Sequence, residues 1–147
     1  MTTVAEILDA EDARWHQLAA LLDRVGPDGW MTPGAAGEWC AKDVVAHIAA
    51  WHAEAVDEME QLRETGHVKR NWTDVEAFNT ENAARCKDID LHDAKVTSGA
   101  CRHRFREEIA RLGQPLNPKM ADFVMMCGPN HYDEHIEMLE VFLAART

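Results

Sequence analysis

The sequence lacks long hydrophobic runs. Its apolar stretches are a handful of residues each, far short of the roughly 20 that a bilayer-spanning helix needs, so no membrane partner is expected. It is also short of positive charge. Fifteen Lys and Arg stand against 26 Asp and Glu, a net charge of −11, which argues against nucleic acid or an anionic lipid surface as partner, since both need a positive face. The opening MTTVAEILDAEDARW has no basic segment followed by an apolar one, so it does not read as a secretory signal, and a cytoplasmic location is expected. The four cysteines, Cys40, Cys86, Cys101 and Cys127, are far apart and form no C-x-x-C. In a chain of this kind they read as reduced thiols, not a disulfide framework. There is no Gly-rich phosphate loop and no nucleophile elbow. No segment sustains the alternation of a strand.

What is there is helical periodicity. The chain has 147 residues, 46% hydrophobic and 28% charged, enough to bury a core as one domain over 1–147. Val4, Leu8, Trp15, Leu18, Leu22 and Val25 form one stripe of an amphipathic helix over about 3–25, which Gly26-Pro27-Asp28-Gly29 should stop. A second helix, about 41–64, carries Val44, Ile48, Trp51, Ala55, Met59 and Leu62, and Gly66 ends it. A shorter helix begins near Thr73 and ends near Arg85. A long one over about 91–112 uses Leu91, Val96, Phe105, Ile109 and Leu112. Asn117-Pro118 reads as an N-cap followed by proline at the first helical position. The last helix runs from there to about Ala145, with a kink or restart at Gly128-Pro129. The expected fold class is all-α, a bundle of four main helices.

The polar residues of interest are histidines. In GPNHYDEHIEML, residues 128–139, His131 and His135 share one sector of the last helix with Met138, Leu139 and Phe142, at 100° per residue on the face the apolar residues mark as buried. His47 lies beside the Val44–Ile48–Trp51 stripe of the second helix, inward or at its boundary. His16 and His52 fall on stripe flanks, His67 in a loop, His92 near a helix start, and His103 among Arg102, Arg104 and Arg106 on a solvated face. Inward imidazoles are costly unless their nitrogens find partners. Hydrogen bonds to carboxylates or backbone would settle that cost. So would a divalent metal, for which three neutral imidazoles are a common shell; bundles build such sites from facing helices.

His131-Tyr132-Asp133-Glu134-His135 also matches the H-x-x-E-H letters of inverted zinc proteases. That reading fails, because such enzymes take a third carboxylate ligand from a separate downstream element and only 12 residues follow His135, all on the same helix. Glu134 reads as a flank residue, with a base or supporting role as the alternative.

Two segments carry a family resemblance. Gly37-Glu38-Trp39-Cys40-Ala41-Lys42-Asp43-Val44-Val45-Ala46-His47-Ile48-Ala49-Ala50-Trp51 resembles the G-x-W-S-x-x-D-x-x-x-H-x-x-x-W segment of DinB-like four-helix proteins. Asn130-His131-Tyr132-Asp133-Glu134-His135 resembles their closing H-x-x-x-H. The wider group includes the mycothiol-dependent maleylpyruvate isomerase N-terminal domain and the colibactin self-protection proteins. The resemblance implies a four-helix bundle in which His47, His131 and His135 bind a divalent metal, nickel or zinc, and it implies a homodimer. Cys40 stands where the family's usual serine would cap the second helix; cysteine caps poorly, which leaves Asp43 to stabilise the helix start through the dipole. Phe78-Asn79-Thr80-Glu81-Asn82 bears a slighter likeness to an asparagine-bearing segment of the self-protection branch.

Further candidates have bland alternatives. Cys127, four residues before His131, would be a fourth ligand on a continuous helix or simply a core thiol. Trp15 and Trp51 fit the core, whereas Trp39 and Trp72, in or near loops, are better candidates for lining a substrate pocket. Met120, Met125 and Met126 read as packing. Arg102, Arg104 and Arg106 read as solvated charges, with the carboxylates of a thiol cofactor as the alternative partner. The leading expectation is a metal-dependent enzyme acting on a small-molecule substrate, with the three-histidine site activating a low-molecular-weight thiol or water. The alternative is a non-catalytic small-molecule-binding or stress-protection module of the same fold, followed by a bundle whose histidines are merely satisfied.

Overall fold

The computed structural model describes residues 2–68 and 74–147. Trp72, and Thr73 at the expected start of the third helix, lie outside the described residues. The order of elements is α1 (Val4–Asp23), α2 (Gly26–Gly29), α3 (Ala41–Thr65), α4 (Val75–Cys86), α5 (Leu91–Ala110), α6 (Pro118–Cys127) and α7 (Pro129–Ala145), with no strand among the described residues. The protein is an all-α bundle.

Local chemistry explains the helix ends. Thr3 and Glu6 form a capping box at the start of α1, two reciprocal bonds of 3.1 Å. Asp74, Asp90 and Asn117 each cap their helix by accepting from a backbone N–H three residues on, at 3.0, 2.8 and 3.2 Å. Gly66 closes α3 in the left-handed conformation, φ 77°, its N–H bonded to the Leu62 carbonyl at 2.8 Å. At the start of α3, Asp43 Oδ2 accepts from the Cys40 N–H at 3.0 Å and from its thiol at 3.1 Å. The aspartate therefore contributes hydrogen bonds there as well as charge.

Three expectations need correction. The first helix ends at Asp23, and Gly26–Gly29, expected only to stop it, forms a helical turn of its own. Val96, assigned to the inward stripe, is exposed. Met138, placed with the buried face of the last helix, is exposed as well, whereas the restart expected at Gly128-Pro129 is present: α6 ends at Cys127 and α7 begins at Pro129. Proline cannot donate to the helix ladder, and a Cβ on Gly128 would stand 3.0 Å from the Phe105 ring, so this close approach also requires glycine.

The long helices pack chiefly as α3 against α5 and α1 against α7. Two apolar clusters fill the bundle, one around Leu18, Leu22, Val44, Ile48, Leu139 and Phe142, the other around Ile7, Trp51, Met59, Phe105, Ile109, Met120 and Val124. Burying each such side chain contributes about 1.5–3 kcal/mol. Glu11 on α1, between Ile7 and Leu18, and His52 on α3, between Ile48 and Ala55, mark a buried polar belt between the two clusters. No helix among the described residues is long and apolar enough to cross a membrane.

Candidate metal centre

The sequence separates His47 from His131 by more than half the chain; the bundle brings them together. His47 projects from α3, and His131 and His135 project from successive turns of α7. The Nε2 atoms of His131 and His47 stand 2.8 Å apart, and those of His135 and His131 3.2 Å. All three rings are buried. Among the described residues they are the group of ligating side chains able to hold a metal ion, their ligand atoms all lying within 4.8 Å of one another.

Electrostatics keep these rings neutral. Burial, with His131 and His135 nearby, lowers the pKa of His47 to about 3. Burial and His135 lower His131 to about 3, partly opposed by a hydrogen bond with the Cys127 backbone carbonyl. Burial lowers His135 to about 4. At neutral pH the cluster therefore presents nitrogen lone pairs, the form a metal requires. The donor set fits a divalent ion: tetrahedral bonds of about 2.0–2.1 Å place nitrogens roughly 3.3 Å apart, close to the observed separations. The Cys127 carbonyl supplies the outer hydrogen bond that usually orients a ligating imidazole, whereas the buried Nδ1 of His135 has no partner.

The surroundings answer the remaining candidates. Trp39 lies against His47, ring centroids 4.8 Å apart. It is set there by a tight loop in which its N–H donates to Ala36 O at 2.9 Å and its carbonyl accepts from Gly34 N–H at 3.1 Å. A small cleft beside His47 is lined by Trp39, Asp43, Ala46, Asn82, Ala83 and Cys86. Asn82, noted in sequence only for a slight likeness, is thus buried on the inner face of α4. The helix is fastened by Trp51 Nε1 donating to Asn79 Oδ1 at 2.8 Å. The buried Lys42 holds the following loop, donating to the carbonyls of Lys87 and Ile89 at 3.1 and 2.7 Å. Trp51 is core, as expected, and Trp15, partly buried, packs against the other cluster, that of Leu18 and Ile48. Cys127 sits beyond the Gly128 break, outside the histidine group, and burial foremost, with Glu54 and Glu58, raises its pKa well above the ordinary thiol value. It is a core thiol. A larger hollow lined by Met59, Leu112, Leu116 and Met120, with Glu108 between Arg63 and Arg111, contains none of the three histidines.

The sequence reading missed a second polar cluster. Arg102 and Arg106, expected to be solvated, turn inward to Glu11, which is fully buried. Arg102 binds it through Nε at 2.7 Å and Nη2 at 3.0 Å, and Arg106 Nη1 donates to Oε2. Tyr132, beside His131 in sequence, donates its hydroxyl to Glu11 Oε1 at 2.9 Å and lies 2.6 Å from His52 Nε2. His52, placed on a stripe flank by its spacing, is fully buried and stacks on Phe105 at 4.6 Å. The signal was available: Ile7, Glu11 and Leu18 share a helical face, as do Ser98, Arg102, Phe105 and Ile109.

Residues 12–120 match the family described as the mycothiol maleylpyruvate isomerase N-terminal domain. The chain belongs to this family, and with it to the DinB-like superfamily. The matched segment contains His47 and ends before His131 and His135, so the bundle geometry, not the match, unites the three. The chain is also similar to a protein of Escherichia coli UTI89 whose crystal structure is described as that of an uncharacterised protein. The likeness covers 99% of this chain and 95% of that one, with TM-score 0.80 and 12% identity, and at that identity it speaks for the fold alone. None of the curated proteins matches the chain.

Proposed function

We propose that His47, His131 and His135 hold a divalent metal, nickel or zinc, and that the protein is an enzyme using it to activate a low-molecular-weight thiol or water toward a small electrophilic substrate. The observation that carries this reading is the convergence of three neutral, buried imidazole nitrogens from two helices. A divalent ion bound there supplies Lewis acidity, the usual means of generating a thiolate or hydroxide near neutral pH. The chain's own residues do the rest. Burial keeps the ligands deprotonated, Trp39 walls one side of His47, and Asn82 and Cys86 of α4 line the small cleft beside it, which limits water at the site. Membership of a family described by a mycothiol enzyme favours thiol transfer over hydrolysis.

The test is consumption of an electrophile by the metal-loaded protein with and without thiol. Thiol-dependent turnover that His131→Ala abolishes is expected; equal rates in wild type and variant would sink the reading. The alternative is a module of the same fold that binds a small molecule without turning it over. Ligand-induced stabilisation with no product after long incubation would select it. The proposal includes a homodimer, supported by Met138 and Val141, apolar and exposed on α7; light scattering that returns the mass of one chain would overturn that part.

A further inference from the structure

The turn of α7 that carries His131 and His135 has little to fix it locally. Its N-cap is Gly128, with no side-chain cap bond, and Pro129 offers no N–H. An exposed ion pair, Arg14 Nε to Asp133 at 3.0 Å, touches the same turn, and such pairs contribute little. Between His131 and His135, however, stands Tyr132, the chain's single tyrosine and fully buried. Its one hydroxyl proton goes to Glu11, an acceptor-only carboxylate. The 2.6 Å contact with His52 is therefore a bond that His52 Nε2–H donates to the Tyr132 oxygen. His52 and His47 both lie on α3, five residues apart, about 7–8 Å along the axis. The His52–Tyr132 bond thus joins the same two helices that supply the histidines, close to where His47 meets His131. Glu11 is itself held by Arg102 and Arg106 of α5, and the Tyr132 and Trp15 rings meet edge to face with centroids 5.3 Å apart. The hydroxyl is thereby referenced to three other helices.

We infer that Tyr132, held between Glu11 and His52, is the positioning residue of the three-histidine centre, its hydroxyl setting the rotation and spacing of α7 against α3. The inference rests on the reading of His47, His131 and His135 as metal ligands. Outer groups that orient ligands typically change metal affinity by about 10–100-fold when removed. Here the oriented object is a whole helical turn with two ligands.

The experiment is a cobalt(II) titration of metal-stripped protein, followed by the ligand-field absorption, with circular dichroism to confirm that each variant is folded. Tyr132→Phe keeps the ring and deletes the hydroxyl; a loss of about 10-fold or more in affinity and an altered spectrum are expected. His52→Leu deletes the same bond from α3 and should give the same loss, so the inference remains exposed if one variant does not fold. His52→Gln offers an amide N–H near the place of Nε2–H and should retain affinity and spectrum. Asp133→Asn, which cuts the surface tether on the same turn, should change neither. Wild-type cobalt affinity and spectrum in folded Tyr132→Phe or His52→Leu would overturn the inference while leaving the metal reading intact. Wild-type protein that takes up no cobalt would overturn the metal reading, and this inference with it.

Discussion

The three-histidine cluster and the Glu11 network are both buried, and both draw side chains from α3 and α7, yet their hydrogen-bond arithmetic differs. In the network, a carboxylate with only acceptors meets two guanidiniums and a phenol with donors to give, so charge and proton both find a counterpart. In the cluster, three like nitrogens face one another, and neutral imidazoles so placed cannot all satisfy each other; a buried Nδ1 without a partner occurs in both regions, on His135 and on His52, and does not separate them. A buried polar group that chemistry completes from within is a structural device. One whose lone pairs converge on a common point is suited to an electrophile. The comparison separates the part of this bundle that holds it together from the part suited to binding.

Acid should strain both regions. His47, His52 and His131 have folded pKa values of about 3, and His135 of about 4, against 6.5 as the ordinary value, with burial the leading cause in each. Between those limits the unfolded chain binds protons that the folded chain does not. Stability should therefore fall as pH drops below about 6.5 and continue falling toward pH 4, by up to about 1.4 kcal/mol per histidine per pH unit. Denaturant melts of metal-free protein at pH 7, 6 and 5 would show it; a flat profile would mean that the imidazoles are not buried as described.

Glu11→Ala strikes the network directly. It leaves Arg102 and Arg106 facing each other without their anion and removes the acceptor of the Tyr132 hydroxyl. Breaking a buried ion cluster from one side costs about 3–5 kcal/mol, read as a lower urea midpoint. A loss under about 1 kcal/mol, the range of an exposed pair, would place Glu11 at the surface energetically. The smallest effect is expected at the helix start beside the cluster. Cys40→Ser substitutes a better N-cap while Asp43 can still accept from residue 40, for a gain of about 0.5–1 kcal/mol with metal binding unchanged. A parallel change in metal affinity would show that the start of α3 and the position of His47 are coupled.

Much of this was legible in the sequence, for reasons that can be traced residue by residue. His131 and His135 share a helical face with Leu139 and Phe142, and periodicity alone turned them inward; burial agrees. Asn117-Pro118 and Gly66 marked helix ends because caps are local chemistry. Gly128-Pro129 marked a break for the same reason, although only tertiary packing shows why glycine is required against Phe105. The network was missed because charge was read as a sign of solvent. Glu11 lies on the stripe of Ile7 and Leu18, but its burial depends on arginines 91 and 95 residues away, and no local pattern pairs them. His52 was likewise placed by helix geometry alone, and its partner, Tyr132, is 80 residues distant.

The most direct measurement is the metal content of untagged protein by elemental analysis, with His131→Ala prepared alongside. Near one divalent ion per chain in the wild type, and almost none in the variant, is the expected result. Wild-type protein that holds no metal even after nickel or zinc is added would contradict the central claim, and so would a variant that binds as much metal as the wild type.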